Sequence, residues 1–353
     1  MDTIIASGER NDEPNRKLLT IKYFIMKKII LSIIALCCTV VAGAQNEIMT
    51  AVLQHGDDVS VFKGANAFVS ANAAAADGDV ITLSAGAFNV ATITKSISVY
   101  GAGFEKDEAS GTEITRINAQ LNLGTSGGET LTAVHLEGLY FSTHVSTNVP
   151  LDGFRMDKCY VNGNTNIGAN TNTMIKNCVI TGNIEGGNKL AENCIIENCY
   201  VGGNINTFNS DSNVKVDHCI VCSFVGPYYC ANSIFPYYWV GAYYDRAVFA
   251  NTEGAVAHNC IFRNFDYNNQ DKNVFQNCYA VDIRGIFTDA QNANYSATRT
   301  FEIQQPDIWI GTDGKEIGIR YGWNKVPATP VVKNLDATVS GTNLGVTYEA
   351  EVR

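Results

Sequence analysis

Three aspartates and one arginine are the residues of this sequence best suited to catalysis: Asp217, Asp245, Asp266 and Arg263. Two carboxylates roughly 5–9.5 Å apart can cleave a glycosidic bond, and several carboxylate oxygens together can hold Ca²⁺. Asp217 precedes His218, but this pair stands where other segments carry an asparagine, so a plain turn explains it as well. The sequence therefore offers candidates for acid–base chemistry and leaves open whether the protein is an enzyme.

An aromatic segment at residues 224–249 is the best candidate for ligand binding, because ten of its 26 residues are Phe, Tyr or Trp. Consecutive residues of a strand face opposite sides, so at least one of Tyr237, Tyr238 and Trp239 should lie outside the core. Exposed rings of this kind stack on sugars. The alternative is a long loop that packs its rings over the flank of the fold. The predicted binding residues are Tyr237, Tyr238, Trp239, Tyr243, Tyr244, Arg246 and Tyr267.

The histidines and cysteines show no spacing typical of a metal site. The remaining histidines, His135 among them, are scattered, and Cys194 and Cys199 lack the two-residue spacing of a zinc site. We therefore predict no metal and no cofactor, and leave calcium open. Cys222 and Cys230, eight residues apart, are the one pair for which we consider a disulfide, with two free thiols as the alternative.

A repeat of about 20 residues organises the central part of the chain. Its unit is an apolar residue, two turn-forming residues, a cysteine, one variable residue and a further apolar or small residue. Asparagine precedes most of these cysteines, and it tolerates the left-handed backbone of a sharp turn. The 41-residue step from Cys219 to Cys260 predicts two coils, one without the motif. The repeat contains Cys159, Cys178, Cys194, Cys199, Cys219, Cys260 and Cys278, and we place Leu139, Ile117 and Ile97 in the same slot.

Short alternating segments at this period, without helical patterns between them, predict a solenoid in which each turn adds parallel strands to the preceding turn. We predict an all-β fold, a right-handed parallel β-helix with an N-terminal capping helix near residues 68–76 and a small C-terminal β segment. The cysteines of the repeat would form an interior ladder of free thiols. The predicted boundaries are 1–44 for an upstream extension and signal peptide, 45–78 for the N-terminal cap, 79–300 for the parallel β-helix and 301–353 for a C-terminal cap or attachment segment.

The opening coils at 76–88 and 93–103, together with the repeat, resemble the right-handed parallel β-helix, or pectin-lyase-like, superfamily over residues 79–300. With the N-terminal Met-Lys-Lys signal and the closing segment 313–319, the chain resembles secreted β-helix proteins of Bacteroides-type bacteria. The resemblance implies that a site would lie on one outward face, where enzymes of the superfamily act on acidic polysaccharides. The chain departs from the pectate-lyase Val-Trp-Ile-Asp-His pattern at Lys215, and it has no Arg-x-Pro-x-x-Arg segment.

Charge and the N-terminal pattern indicate export and exclude one class of partner. The chain has 25 Lys and Arg against 35 Asp and Glu, so the broad basic surface that binds nucleic acids is missing. Lys27 and Lys28 are basic, residues 29–41 are an apolar run, and Ala42, Gly43 and Ala44 complete the pattern of a signal peptide cleaved near Ala44. The apolar run is too short to span a bilayer, so we expect no transmembrane segment in the mature chain.

These features predict a secreted or cell-surface β-helix protein that binds carbohydrate or forms a structural part of the cell surface. Its expected partner is a polysaccharide or cell-surface glycan. The alternative is a polysaccharide lyase or glycoside hydrolase acting on an acidic polysaccharide, and a third option is self-association through an uncapped end. Clustered charges on one outward face would favour the enzyme, whereas an aromatic strip without converging charges would favour the binding protein.

Overall fold

The structure, a computed structural model, is an all-β parallel solenoid of about 9 turns. It describes residues 49–108, 111–206, 208–223, 226, 228–236, 239–241, 244–246, 249, 253–263, 271–319, 323, 325, 331–340 and 343–351. For the strands between residues 239 and 246 and beyond residue 330, the description extends to backbone pairing only. The predicted signal peptide lies outside the described residues.

The first sheet runs along the whole solenoid and contains 12 strands, which are numbered here in chain order. Its parallel strands keep one residue of each coil in register, so that Leu136, Met156, Ile175 and Ile196 follow one another. All four are fully buried, because alternate residues of a strand face the interior. In order along the sheet the strands are β2 (Asp58–Lys63), β1 (Thr50–His55), β3 (Val80–Leu83), β5 (Ser98–Tyr100), β9 (His135–Glu137), β13 (Arg155–Asp157), β16 (Met174–Lys176), β19 (Cys194–Glu197), β22 (Val214–Asp217), β24 (Tyr229–Ala231), β28 (Val256–His258) and β30 (Val274–Gln276).

Two further parallel sheets complete the walls. The second sheet has ten strands: β4 (Gly86–Phe88), β6 (Thr115–Ile117), β10 (Tyr140–Phe141), β14 (Tyr160–Val161), β17 (Val179–Ile180), β20 (Tyr200–Val201), β23 (Ile220–Val221), β25 (Ile234–Phe235), β29 (Ile261–Phe262) and β31 (Tyr279–Ala280). The third has five: β7 (Leu121–Leu123), β11 (Val145–Thr147), β15 (Thr165–Asn166), β18 (Ile184–Glu185) and β21 (Ile205–Asn206). The remaining pairs are β8 (Leu131–Thr132) with β12 (Leu151–Asp152), β26 (Trp239–Gly241) with β27 (Tyr244–Arg246), and β32 (Val331–Ser340) with β33 (Asn343–Glu351).

A sharp turn with left-handed backbone joins the first sheet to the second in successive coils. Asn177, Asn198 and Asn259 have φ values of 54°, 50° and 49° at this turn. Asparagine is suited to the position because its short polar side chain tolerates the left-handed region. Lys158 and His218 adopt the same conformation, with φ values of 50° and 48°, which confirms the turn interpretation of His218.

The residue after each turn faces the interior and repeats one hydrogen bond. The thiol of Cys178 donates to the carbonyl of Lys176 at 3.0 Å, and the thiol of Cys199 donates to the carbonyl of Glu197 at 3.1 Å. Burial raises the pKa of both thiols well above its usual value, so they stay protonated donors. The ladder of interior free thiols is confirmed, and the cysteines that continue it are Cys159, Cys219, Cys260 and Cys278.

The coil without the cysteine motif is built around Ser233. Two coils lie between Cys219 and Cys260, as predicted, because Val216, Cys230 and Ala257 occupy equivalent positions on adjacent strands. The first coil contains 14 residues and the second contains 27. Ser233 takes the place of the cysteine, because its hydroxyl donates to the carbonyl two residues earlier at 2.6 Å and accepts from the Cys219 amide at 3.0 Å. The longer coil contains most of the aromatic segment, including the hairpin β26–β27.

Two residues that we placed in the cysteine slot lie elsewhere. Ile117 pairs with Phe141, two positions beyond the slot that Leu139 occupies. Thr115 fills the slot in that coil and is fully buried. Ile97 directly precedes β5 and lies before the turn. Both assignments are wrong because an excursion of the chain between β5 and β6 shifts the register of this coil.

A second apolar cluster lies on the outward surface of the second sheet. Residues 281–319, which we call the strap, cover this surface with apolar side chains. The ring of Phe301 packs against Tyr200 and Phe287, with centroid distances of 5.8 and 5.7 Å. Tyr295 donates a hydrogen bond to Glu105, so the strap reaches back toward the early coils. Residues 301–319 therefore lie along the flank of the solenoid.

The N-terminal part of the described chain extends the first sheet. Strands β1 and β2 are antiparallel and precede β3 in the sheet order. A helix, α1 (Ala67–Ala74), follows them and buries Phe68 and Ala71 in the core, close to the predicted range of 68–76. No helix within the described ranges is long and apolar enough to cross a membrane.

Candidate functional site

The described residues that the sequence indicated for a site lie on different strands and sheets. Asp217 lies on the first sheet at the end of β22, whereas Arg263 follows β29 of the second sheet. Trp239 pairs with Arg246 in the hairpin β26–β27, which is a sheet of its own. That hairpin also contains Tyr244 and Asp245. Asp266, Tyr237, Tyr238, Tyr243 and Tyr267 lie outside the described residues.

The described rings of the aromatic segment divide between the interior and the surface. Phe235 and Phe249 are fully buried, with ring centroids 5.9 Å apart. Tyr228 is also buried and packs edge-on against Phe208. Tyr229, the next residue, is 39% exposed, because it occupies the opposite side of the strand. One accessible tyrosine of this segment therefore lies on the first sheet.

Asp217 and His218 make separate structural contacts. Asp217 Oδ2 lies 2.7 Å from Lys215 Nζ, and its Oδ1 accepts a hydrogen bond of 2.9 Å from Asn232 Nδ2. His218 Nδ1 lies 3.1 Å from a carbonyl of the strap, and its Nε2 lies 3.4 Å from Asp313. The aspartate thus stabilises the sheet face and the histidine fastens the strap, and the two side chains do not converge on one point.

Two columns of outward side chains run along the first sheet, with rungs roughly 4.8 Å apart. Residues of one column occupy equivalent positions in successive coils. Column one contains Ser98, His135, Arg155, Met174, Ile195, Lys215, Tyr229, Val256 and Val274. Column two contains Tyr100, Glu137, Asp157, Lys176, Glu197, Asp217, Ala231, His258 and Gln276. Charged and titratable groups thus concentrate in the early coils, and column one becomes largely apolar in the later ones.

A chain of titratable groups, which we call the acid–base cluster, comprises Tyr100, His135, Glu137, Asp157 and Lys158. The Tyr100 hydroxyl lies 3.1 Å from His135 Nδ1, and His135 Nε2 lies 3.6 Å from Glu137 Oε2. Glu137 Oε1 in turn lies 3.3 Å from Lys158 Nζ. Asp157 and Glu137 pair in register on adjacent strands. The cluster therefore connects a phenol, an imidazole, two carboxyl groups and an ammonium group on one outward face.

Burial is the main cause of the pKa shifts of three members of the acid–base cluster, Asp157, His135 and Tyr100. It raises the pKa of Asp157 above its usual value, although Asn177 opposes this shift by donating to Asp157 Oδ1 at 3.0 Å. Burial also lowers the pKa of His135, against the attraction of Glu137 and Asp157. The same effect raises the pKa of Tyr100. The two carboxyl groups consequently differ in environment, since Asp157 is biased toward its protonated form and Glu137 faces an ammonium group.

The later rungs of column one carry five apolar or aromatic side chains, which we call the exposed strip and which Lys215 interrupts after Ile195: Met174, Ile195, Tyr229, Val256 and Val274. Tyr229 and Val274 are the most accessible of these, at 39% and 47%. Lys215 Nζ lies 6.0 Å from the centroid of the Tyr229 ring, and the His258 ring centroid lies 5.5 Å from it. The exposed tyrosine is therefore bordered by a cation on one rung and an imidazole on the next.

A metal site or a crosslink would have to be built from the cysteines, histidines and carboxylates. Across the described ranges, His, Cys, Asp and Glu form no group of three or more that could hold a metal ion. Cys222 and Cys230 are both free, so the disulfide considered from the sequence is wrong. Cys230 faces the interior, whereas Cys222 lies in the outward cluster with its thiol 3.4 Å from the Tyr200 hydroxyl. The wall of the solenoid separates the two thiols.

The sequence analysis missed the acid–base cluster. It treated His135 as a scattered histidine without a partner, although His135 lies between Tyr100 and Glu137. The available signal was the repeat itself, because Glu137 and Asp157 are 20 residues apart and occupy equivalent positions. Aligning the outward positions of successive coils, and not only the cysteine slot, would have brought these side chains together.

The chain matches no protein-family model, no curated protein and no solved structure in the comparisons made. The structure shows a parallel β-solenoid, and membership of the pectin-lyase-like superfamily stays a prediction. The chemistry of the two outward columns is therefore the feature that indicates a function.

Proposed function

We propose that this protein is a secreted or cell-surface β-solenoid that binds an extended glycan along the outward face of the first sheet. The observation that carries the proposal is the exposed strip, with Tyr229 accessible between Lys215 and His258. A pyranose ring offers an apolar face of C–H groups and an edge of hydroxyl groups. The rings and apolar side chains of the exposed strip can pack against the C–H face, and the polar side chains of column two can form hydrogen bonds with the hydroxyl groups.

The dimensions of the strip support a linear ligand. From Met174 to Val274 the column crosses five intervals between rungs, which corresponds to about 24 Å at the usual strand spacing. This length accommodates several consecutive sugar units. A flat face with a regular repeat favours a polymer with a regular repeat over a compact ligand.

Export is part of this proposal and depends on the sequence pattern at residues 26–44. We propose cleavage near Ala44 and membership of the right-handed, pectin-lyase-like β-helix proteins of the Bacteroides type. The predicted partner is a polysaccharide or cell-surface glycan. The aromatic residues of the hairpin β26–β27, Trp239 above all, stay a predicted second contact for the same ligand.

Affinity electrophoresis of the purified chain through gels containing plant, host or microbial polysaccharides tests the proposal. We expect one polymer to retard the protein. Tyr229→Ala should weaken the affinity for that polymer at least about tenfold, because the variant loses the aromatic ring that stacks on the sugar. Ile308→Ala is the matched control, since Ile308 is 59% exposed but lies on the strap. Equal retardation of the two variants would contradict the proposal. Trp239→Ala measures the contribution of the hairpin separately.

A second candidate function, cleavage of an acidic polysaccharide by a hydrolase or lyase, is favoured by the pairing of Asp157 and Glu137. Glycosidases use two carboxyl groups whose environments push their pKa values apart, one as the acid and one as the anion. Burial of Asp157, which raises its pKa, fits the acid, and Glu137, 3.3 Å from Lys158 Nζ, is the second carboxyl group. The polar face of column two would then bind the substrate next to the reacting groups.

Polymer length, followed by size-exclusion chromatography, distinguishes this candidate from binding alone. An enzyme would shorten one polymer, with or without calcium, and Asp157→Asn and Glu137→Gln would each abolish the shortening while leaving retardation in the gel intact. Asp217→Asn is the control, because Asp217 lies three strands from Asp157 in the same column. Intact polymers across the panel would reject the enzyme and leave the binding proposal standing.

A further inference from the structure

The two cysteines at the C-terminal end of the interior ladder form a pair of their own. Ser233 occupies the cysteine slot of the coil between Cys219 and Cys260, so these two thiols are separated by two rungs. Cys278 follows Cys260 on the next rung, and β30 and β31 of that coil are terminal strands of their sheets. The ladder therefore ends in two adjacent thiols, with no further strand of the described sheets beyond them.

The strands on both sides of the turn hold Cys260 and Cys278 in register. His258 pairs with Gln276 before the turn, and Ile261 pairs with Tyr279 after it. The residues that directly precede the two cysteines share the left-handed backbone, with φ values of 49° and 51°. Equivalent Cα atoms on adjacent strands lie roughly 4.8 Å apart, within the range of about 4.4–6.8 Å that a disulfide spans. A small shift of the terminal coil is therefore sufficient to join the two sulfurs.

The two cysteines differ in accessibility and in acidity. Cys260 is fully buried, whereas Cys278 is partly exposed to solvent. The Cys278 thiol donates to the carbonyl of Ala257, on the coil of Cys260, at 3.4 Å, so its sulfur is directed toward that coil. A hydrogen bond from Cys260 lowers the pKa of Cys278, while burial raises the pKa of Cys260. Cys278 is consequently the nucleophile that a reagent in solvent meets first, and Cys260 is the thiol behind it.

We propose that Cys278 and Cys260 form a reactive dithiol that a low-molecular-weight disulfide converts into an intramolecular disulfide. The Cys278 thiolate attacks one sulfur of the reagent, which forms a mixed disulfide and releases one thiolate. The sulfur of Cys260 then attacks the Cys278 sulfur and releases the second thiolate. The two protein thiols are oxidised, the reagent is reduced to two thiols, and the two protons pass to the released thiolates.

The product fastens the terminal coil to its neighbour, so the pair is a redox-sensitive closure of this end of the solenoid. It is independent of glycan binding, because the ladder faces the interior and the exposed strip faces outward.

Intact mass spectrometry of the folded, fully reduced protein after incubation with oxidised glutathione tests the proposal. We expect the parent protein to lose two hydrogens and to retain no glutathione. Cys260→Ser should retain one glutathione on Cys278, because no second thiol displaces it, and Cys278→Ser should keep its mass. Serine suits both positions, since Ser233 occupies the same slot in a neighbouring coil. Thermal unfolding verifies that the variants are folded.

Cys199→Ser is the matched control, because Cys199 occupies the same slot but is fully buried between other coils. This variant should lose two hydrogens as the parent protein does. A peptide map prepared without reduction should join the peptides of Cys260 and Cys278. A parent protein of unchanged mass, glutathione retained on the parent protein, or a crosslink that includes another cysteine would each overturn the proposal.

Discussion

Lys158 Nζ lies 3.3 Å from Glu137 Oε1, and both side chains are about nine-tenths buried. The two residues belong to successive coils, so the ion pair links one turn of the solenoid to the next. Lys158 also occupies the left-handed turn position, where φ is 50° and most other coils carry asparagine. A backbone conformation unfavourable for lysine is thus combined with a contact that only lysine or arginine could make.

Lys158→Asn should therefore destabilise the protein although it matches the other turns. Asparagine suits the left-handed backbone, but its shorter neutral side chain removes the cation that lies beside the buried Glu137 carboxylate. Removing one member of a buried ion pair costs about 3 kcal/mol, and relief of turn strain offsets part of this loss. Urea unfolding followed by circular dichroism measures the change. A variant as stable as the parent protein would show that the ion pair contributes nothing net.

Asp157 should make the protein less stable as the pH rises. Its pKa in the folded chain lies above the usual value of 3.8, mainly because of burial, so the native state binds this proton more tightly than the unfolded state. Ionisation in the interval above 3.8 consequently favours unfolding. Asp157→Asn keeps an oxygen that accepts from Asn177 and cannot ionise, so its free energy of unfolding should decline less across this interval.

The measurement for Asp157 is the difference between parent and variant in unfolding free energy at several pH values. His135 titrates in both proteins, with a pKa lowered by burial, so its opposite contribution largely cancels in the difference. We expect the unfolding free energy of the variant to increase relative to that of the parent protein as the pH rises from about 4 to 7. A difference that stays constant over this range would contradict the assigned direction of the shift.

The repeat made the fold predictable from the sequence. The Asn-Cys pairs fixed the turn, the alternation around Met156 and Ile175 fixed the buried side of each strand, and the 20-residue period fixed the register. The errors at Ile97 and Ile117 come from an excursion of irregular length between β5 and β6. Local patterns do not determine how many residues such an excursion adds before the register resumes.

The site was less predictable, because its residues are adjacent only through the coil period. Tyr100 and His135 are 35 positions apart in sequence and touch because β5 pairs with β9 across the same excursion. Arg263 was associated with the aromatic segment by sequence proximity, yet it lines a cleft whose other wall is a strap about 30 residues later. Burial, which shifts the pKa of Asp157, is a property of packing that no short motif contains.

Ser233 should be replaceable by cysteine but not by alanine. Its hydroxyl donates to the Ala231 carbonyl and accepts from the Cys219 amide in a buried position. Ser233→Ala leaves that amide unsatisfied, which costs about 1–3 kcal/mol, whereas Ser233→Cys restores the group found in the neighbouring coils and should cost less than about 1 kcal/mol. Chemical unfolding of both variants measures the costs. Equal stabilities would indicate that volume alone matters in this slot.

The strap should be part of the cooperative fold and not an independent appendage. Phe301 is 1% exposed and packs against Tyr200 on the second sheet, while the guanidinium of Arg299 lies 4.3 Å from its ring centroid. Phe301→Ala should therefore cost about 3–5 kcal/mol, because a large ring is removed from a closed cluster. Ile308→Ala on the same strap should stay within about 0.5 kcal/mol, since Ile308 is 59% exposed.

Limited proteolysis distinguishes the two ways in which Phe301→Ala could act. If the strap and the solenoid unfold together, the variant should show one unfolding transition at lower denaturant, and cleavage sites should appear throughout the chain in the same interval. If the strap detaches alone, cleavage should be confined to residues 281–319 well before the solenoid unfolds. The contacts of Tyr295 with Glu105 and of His218 with Asp313 fasten the strap at separate coils, so we expect the single transition. Early cleavage confined to the strap would overturn this expectation.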